Sequence, residues 1–200
     1  MFKNREEAGA LLADALPQYK DAVVIAIHRG GLPVARAIAQ KLSLPLDVLI
    51  VKKIGHPDDP ELAIGAVAAH SHELNSLARH IPEEHVSKNI ARIQKEIHAR
   101  TKLLRGEREQ LNLAGKTAIL VDDGIATGAT IILATHVVRT QNPKEVVIAI
   151  PVAPAETLPQ IENVADNVIC LNAPLSFLSV GAFYADFREV DDEEVQGMLR

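Results

Sequence analysis

Three runs in this chain, Ala22 to Ile27, Thr117 to Val121 and Glu145 to Val152, read as strands without the usual apolar–polar alternation. A strand with one wet face alternates, because successive side chains point to opposite sides of the sheet. Strands without alternation need cover on both faces. Each of these is followed by a segment with helical periodicity or a helix-starting proline. That order predicts a doubly wound α/β protein with a mostly parallel sheet. In such folds ligands bind at the carboxyl ends of the strands, where the winding reverses. The loops after Ile27 and Val121 are therefore the places to look for chemistry.

The remaining elements fit the same frame. Asn4 followed by Glu7 reads as a capping box opening a helix with Ala8, Leu11, Leu12, Ala15 and Leu16 on one face, stopped by Pro17. Pro33 suits the first turn of a second helix, with Val34, Ala35, Ile38, Ala39 and Leu42 as its buried stripe. Leu46 to Val51 reads as a strand ending in Lys52-Lys53, Ile54 to Glu61 as a loop, and Ala63 to Ala69 as a further strand. Pro82 to about Arg108 carries Val86, Ile90, Ile93 and Ile97 at helical spacing, with Lys and Arg in its later turns as the helix dipole favours. A helix spans about Gly128 to Arg139, a short one begins at Pro154, and Asn167 to Leu171 is the last strand.

Composition narrows the class. The 200 residues are 48% hydrophobic and 24% charged, enough to bury a core without a disulfide or metal staple. The single Cys170 cannot form an intrachain bridge, and a net charge of −5 gives no broad basic field for nucleic acid. No apolar run approaches the roughly 18 residues of a membrane span. Met1 to Glu7 is charged at once, unlike a secretory signal, so a cytoplasmic setting is expected.

The most informative segment is Ala118-Ile119-Leu120-Val121-Asp122-Asp123-Gly124-Ile125-Ala126-Thr127-Gly128-Ala129-Thr130. A buried strand delivers two carboxylates to its exit, and a Gly/Thr loop then enters a helix. Backbone N–H groups at the helix start, a glycine for close approach and two hydroxyls make a phosphate cradle. The dipole contributes about 0.3–1 kcal/mol, so hydrogen bonds must supply most of the grip. The acids upstream would face hydroxyls or a hard cation, which suits a sugar phosphate. Asp-Asp-Gly alone is commonly a surface turn; the whole string is far more specific.

This string resembles the phosphoribosyl-pyrophosphate (PRPP) signature of type I phosphoribosyltransferases, and the resemblance extends from about Ala22 to Leu171. Lys52-Lys53-Ile54-Gly55, Glu61-Leu62-Ala63-Ile64-Gly65-Ala66 and Val180-Gly181-Ala182-Phe183-Tyr184 are similar to a bacterial subgroup known only as predicted phosphoribosyltransferases. The resemblance implies an α/β core over 1–171 and a small C-terminal hood over 172–200, to which the N-terminal helix can contribute. It implies that Gly124, Ala126, Thr127, Gly128, Ala129 and Thr130 hold the 5-phosphate. Asp122 and Asp123 would be catalytic, binding the ribose hydroxyls directly or through Mg²⁺ carried by PRPP and water. A nitrogenous base would displace pyrophosphate at the anomeric carbon through an oxocarbenium-like state, which nearby carboxylates stabilise.

By the same resemblance Arg29-Gly30-Gly31 would be the pyrophosphate loop, often held by a cis non-proline peptide in the family. The two glycines would allow a close anion or a positive φ. Lys53, and after it Lys52, would reach pyrophosphate, and the two should face opposite ways on a strand. Gly55 to Glu61 lies where the family carries a mobile flap. Phe177, Phe183 and Tyr184 in the hood would stack on a base; the bland alternative makes them the hood's own core, with Phe2 and Tyr19. Asp186 would be free to read a base edge. A homodimer is family habit.

One departure bears on the acceptor: 6-oxopurine enzymes generally carry aspartate where this chain has Ala126, whereas adenine-type members carry alanine. Other motifs fail on context. Gly115-Lys116-Thr117 has Gln110 where a nucleotide P-loop needs glycine and precedes its strand. Ser179-Val180-Gly181 lacks the upstream glycine of a nucleophile elbow. His70 and His72 sit in a polar stretch with no metal-site pattern. The rival class is a PRPP-sensing regulator with the same fold and no transfer activity.

Overall fold

A computed structural model describes residues 1–60 and 62–199. Its centre is a five-stranded parallel sheet in the order β2-β1-β6-β7-β8. These strands are β1 (Ala22–Ile27), β2 (Leu46–Leu49), β6 (Thr117–Val121), β7 (Glu145–Val152) and β8 (Asn167–Asn172). The lack of alternation in β1 has the expected cause. Val24 and Ala26 face one core, with Leu12, Leu32, Val34 and Ile38 of α1 (Arg5–Ala15) and α2 (Gly31–Leu42). Val23, Ile25 and Ile27 face the other, with Ile131, Ala134 and Val138 of α4 (Ala129–Arg139) and Ile161 of α5 (Leu158–Glu162). Each buried Ile or Leu contributes about 1.5–3 kcal/mol, so both covers stabilise the sheet.

From β1 the chain crosses through α2 to β2 on one side. From β6 it crosses through α4 to β7 on the other side. Adjacent β1 and β6 are thus the strands between which the winding reverses, the place at whose carboxyl ends such folds bind ligands.

Four readings shift. The α1 cap forms, with Asn4 Oδ1 accepting from Glu7 N at 2.9 Å, but Glu7 Oε2 accepts from Lys3 N rather than from Asn4 N. The buried face of α1 is Arg5, Ala8, Gly9, Leu12 and Ala13; Leu11 is exposed. The helix turns this face to α2 because Gly9 admits it: a Cβ there would lie 2.3 Å from Val34 O. Leu46 to Val51 is not one strand running into the lysines. β2 ends at Leu49, and Lys52–Gly55 is β3 of a separate antiparallel sheet with β4 (Ala63–Val67) and β5 (His72–Leu74). The expected flap thus holds part of β3, and Glu61 lies outside the described residues. Finally, Tyr19 is not in the hood: it lies near Glu145 and Asn167, at the opposite end of the sheet.

The helix α3 (Glu83–Arg105) follows the small sheet and buries Val86, Ile93, Ile97 and Leu104. The chain closes with a short 3₁₀ turn at Val180–Phe183 and α6 (Asp192–Leu199). Phe2 pairs with Tyr184 in an isolated parallel bridge, bringing the two ends of the described chain together above the sheet.

Candidate active site

The β6 loop is built from behind. Ile125 is buried and its N–H donates to Val152 O at 2.9 Å. Thr157 Oγ1 donates to Ala126 O at 3.1 Å, and Gln160 Nε2 donates to Thr127 O at 2.9 Å. With those carbonyls held, Ala126, Thr127, Ala129 and Thr130 stand exposed at the tip. Gly128 takes φ +81° as the N-cap of α4, and no described side chain caps that end. The first N–H groups of α4 are therefore available to an anion, where the dipole favours negative charge.

The two carboxylates lie where this loop meets the loop after β1. Asp122 Oδ1 accepts from Asp123 N at 2.9 Å. A Cβ on Gly30 would lie 2.1 Å from Asp123 Oδ2, and one on Gly31 2.5 Å from Val121 O. Gly30 has φ −60°, so its conformation needs no glycine; the approach of the acidic loop does. The peptide between His28 and Arg29 is cis.

Asp123 is held by two partners. Arg5 Nε donates to its Oδ2 at 2.8 Å and Arg5 Nη2 lies 2.8 Å from the same oxygen, while Tyr184 Oη donates to its backbone carbonyl at 2.6 Å. Arg5 is 8% exposed and also donates through Nη1 to Arg188 O, with its guanidinium 3.9 Å from the Phe187 ring centre. Burial pushes the Asp122 carboxyl well above the ordinary carboxylate range, and the charge of Asp123 adds to the rise. Burial also raises Asp123, opposed by the Arg5 charge. Burial, with Asp123 beside it, raises the Tyr184 phenol, which therefore stays protonated as a donor.

Arg29 is ion-paired with Glu189 of the C-terminal segment. The lysines diverge as alternation requires. Lys52 lines a cavity with His28 and Arg29, and its Nζ lies 2.9 Å from Glu96 Oε2. Lys53 lines a different cavity, with Ala129 and Thr130 of the β6 loop and α4. Phe177 and Phe183 stack on each other at 5.6 Å; Tyr184 packs between Phe2 and Phe187 and is only 5% exposed. Asp186 Oδ1 accepts from Arg188 N in a local turn.

Arg5 is the site residue that sequence reasoning missed. Its one signal was a cation at the first position of a helix, where the dipole disfavours positive charge. Glu189 carried no signal.

The donor set suits a hard cation brought with its ligand rather than a dedicated cage. Two adjacent carboxylates are present, and Mg²⁺ typically binds one or two carboxylates plus substrate phosphates and water. Among the described residues no group of three or more His, Cys, Asp or Glu could hold a metal. Nor is any described helix long and apolar enough to cross a membrane.

The family model for the phosphoribosyl transferase domain matches residues 3–188. Two strains of Mycobacterium tuberculosis encode proteins provisionally named as phosphoribosyl transferases, each 37% identical over all of this chain. That match covers 46% of each relative, so the chain spans about half the length of the curated relatives it matches. A crystal structure from Thermus thermophilus superposes with a TM-score of 0.88 at 38% identity, covering 99% of this chain and 97% of that one. A structure from Aquifex aeolicus shares the fold at a TM-score of 0.51 and 16% identity, over 84% of this chain and 74% of that one.

Proposed function

Because the chain belongs to the phosphoribosyl transferase family, we propose that it moves the 5-phosphoribosyl group of PRPP to a nitrogen of a small planar base. The bond from the anomeric carbon to the pyrophosphate oxygen breaks, the carbon–nitrogen bond forms, and the acceptor nitrogen loses its proton. The observation that carries the reading is the meeting of two loops at the β1/β6 switch point, one bearing paired acids and an uncapped helix start, the other Arg29 and two close-packed glycines.

In this reading N–H groups and hydroxyls of Thr127 to Thr130 take the 5-phosphate, joined by Gly124 and Ala126 at the loop's entry. Lys53, on the wall beside Thr130, adds positive charge there. Asp122 and Asp123 take the ribose diol and face the positive charge developing at the anomeric carbon. Arg5 and Tyr184 are positioning residues that fix Asp123 from its carboxylate and its carbonyl. Gly30, Gly31, Arg29 and Lys52 form the pyrophosphate side. Mg²⁺, when bound by Asp122 and Asp123 through PRPP and water, would neutralise charge on the leaving diphosphate. Phe177 and Phe183 form the apolar wall of the hood over the acceptor. The domain division at 171/172, a homodimer and a cytoplasmic setting belong to the same proposal.

A PRPP-sensing regulator is the second reading. It is favoured by one observation: Asp123 and Arg29, central to the proposed chemistry, are both engaged by internal partners. Pyrophosphate release from PRPP, measured across a panel of nitrogenous bases with PRPP binding followed in parallel, separates the two. Turnover with at least one base supports transfer. PRPP binding without turnover across the panel supports the regulator.

A further inference from the structure

A cavity of about 280 Å³ lies beside the edge strand β2, closed by the β4–β5 turn and the last turns of α3 and α4. None of its lining residues belongs to the loops after β1 and β6 or to the hood. Val48, Leu49 and Val137 give it apolar walls, and Ser71, Gln110 and Gln141 give it neutral hydrogen-bonding groups. No carboxylate stands among its described walls. Its guanidinium, Arg105, is already engaged: Nε donates to Asp47 Oδ1 at 2.8 Å and Nη2 to Val48 O at 2.9 Å. His70 is exposed, its ring 4.9 Å from that of His98. The walls therefore offer neutral donors and acceptors rather than a field of one sign.

Three of these groups keep unspent hydrogen-bonding capacity. Ser71 is fixed in the β4–β5 turn, where its carbonyl accepts from Ala68 N at 2.9 Å. Its Oγ is buried and has no hydrogen-bond partner among the described residues. Buried hydroxyls are nearly always paired, so this one calls for a partner from outside the chain. A serine hydroxyl swings between staggered χ1 wells, so a ligand can draw it out. Gln110 Nε2 donates to Gln141 Oε1 at 3.2 Å, which leaves the Gln110 carbonyl as acceptor and the Gln141 NH₂ as donor. Such a pair matches an edge that carries an N–H beside a C=O, and glutamine reads base edges with two bonds in the same way.

We propose that this cavity binds a neutral planar heterocycle by its lactam edge, a nucleobase or its nucleoside. The ring lies against Val48, Leu49 and Val137. The N–H and C=O of its edge meet the two glutamine amides, and Ser71 Oγ pairs with a further ring atom. The volume is close to the lower end of the ~300–1,000 Å³ of small-molecule sites, which suits a single base or nucleoside. No residue of the acidic loop lines the cavity, so a base held here is bound without being presented for transfer. The inference does not rest on the transfer reading.

The test is calorimetric titration of hypoxanthine and, separately, inosine, without PRPP, into wild type, Ser71→Ala, Gln141→Leu and Phe183→Ala. N1-methylinosine, whose edge lacks the N–H, is the control probe. The expected result is a saturable heat at one site per chain with hypoxanthine, inosine or both, and much weaker binding of N1-methylinosine. Affinity should fall about ten-fold in Gln141→Leu and about five-fold in Ser71→Ala. Ser71→Ala should nevertheless melt no lower than wild type, since it removes a buried hydroxyl that lacks a partner. Phe183→Ala, in the proposed acceptor wall, should bind both probes as wild type does. Binding of hypoxanthine alone assigns the cavity to free bases, and binding of inosine extends it to nucleosides. No heat with either probe, wild-type affinity in both Ser71→Ala and Gln141→Leu, or equal binding of N1-methylinosine overturns the proposal. If Phe183→Ala loses the probes and Gln141→Leu keeps them, the cavity fails while transfer stands. If wild type binds inosine as expected but not PRPP, the transfer reading fails while the cavity stands.

Discussion

Arg5, the first residue of α1, grips the Asp123 carboxylate with Nε and Nη2, both 2.8 Å from Oδ2, across 118 positions of chain. The contact ties the N-terminal helix to the acidic loop. With Arg188 O and the Phe187 ring on the same guanidinium, it also ties both to the C-terminal segment. Asp123 is thereby oriented before any ligand arrives, and orientation of a charged group in advance is what makes it effective in a transition state.

Arg5→Ala should cost about 3–5 kcal/mol of stability, because it leaves a largely buried carboxylate without its partner. Urea unfolding measures it. Arg5→Lys should lose less, since it keeps the charge but not the fork or the ring contact. A loss below about 1 kcal/mol for Arg5→Ala would show that water or another cation takes over.

Asp122 carries a pH signature. Burial first, and Asp123 second, raise its carboxyl on folding, so the native chain binds that proton more tightly than the unfolded one. Stability then falls as pH rises from the ordinary carboxylate value, about 3.9, through the raised one. The cost is absent in strong acid and grows as pH rises between those two values. Asp122→Asn removes it, so the ligand-free variant should melt higher than wild type at pH 7. A gain of about 1 kcal/mol would appear as ~2–4 °C in a chain of this size. That advantage should vanish on acidification; one that grows toward acid contradicts the assignment.

Gly30→Ala should leave the backbone conformation intact yet drive a methyl into Asp123 Oδ2. Overpacking of this kind costs about 1–3 kcal/mol. The carboxylate must move to relieve it, so kcat should fall by more than stability alone explains. Turnover per folded molecule is the measurement, and an unchanged kcat would show that Asp123 need not sit against the β1 loop.

Glu189→Gln should free Arg29. Both side chains are substantially exposed, at 75% and 41%, so the pair contributes little to stability, within about 1 kcal/mol. Its removal should lower KM for PRPP with kcat and melting temperature unchanged. A raised KM would mean that Glu189 orients Arg29 rather than competing with the anion.

What was legible in the sequence was what is local. The parallel strands follow from their missing alternation. The loop from Asp122 to Thr130 follows from residues adjacent in the chain, and the Asn4 cap from a four-residue pattern. What was not legible depends on pairing between distant segments. Lys52 and Lys53 read as the end of a strand because nothing nearby says that Lys52 will pair with Val67 in a second, antiparallel sheet. Gly30 and Gly31 read as room for an anion, whereas the other loop already fills part of that room. Arg5 and Glu189 reach the site from opposite ends of the described chain, brought together by the pairing of Phe2 and Lys3 with Phe183, Tyr184, Ala185 and Asp186 and by Arg5 reaching Arg188 O.

The most direct measurement is calorimetric titration of PRPP with magnesium in excess, on wild type beside Asp123→Asn. The account predicts a saturable heat at one site per chain, weakened about ten-fold or more by the substitution. It also predicts a rate loss on the order of 10²–10³ once an acceptor is found. Wild type that gives no binding heat with PRPP, or Asp123→Asn that binds it as tightly as wild type, contradicts the central claim that the loop from Asp122 to Thr130 holds a phosphoribosyl group.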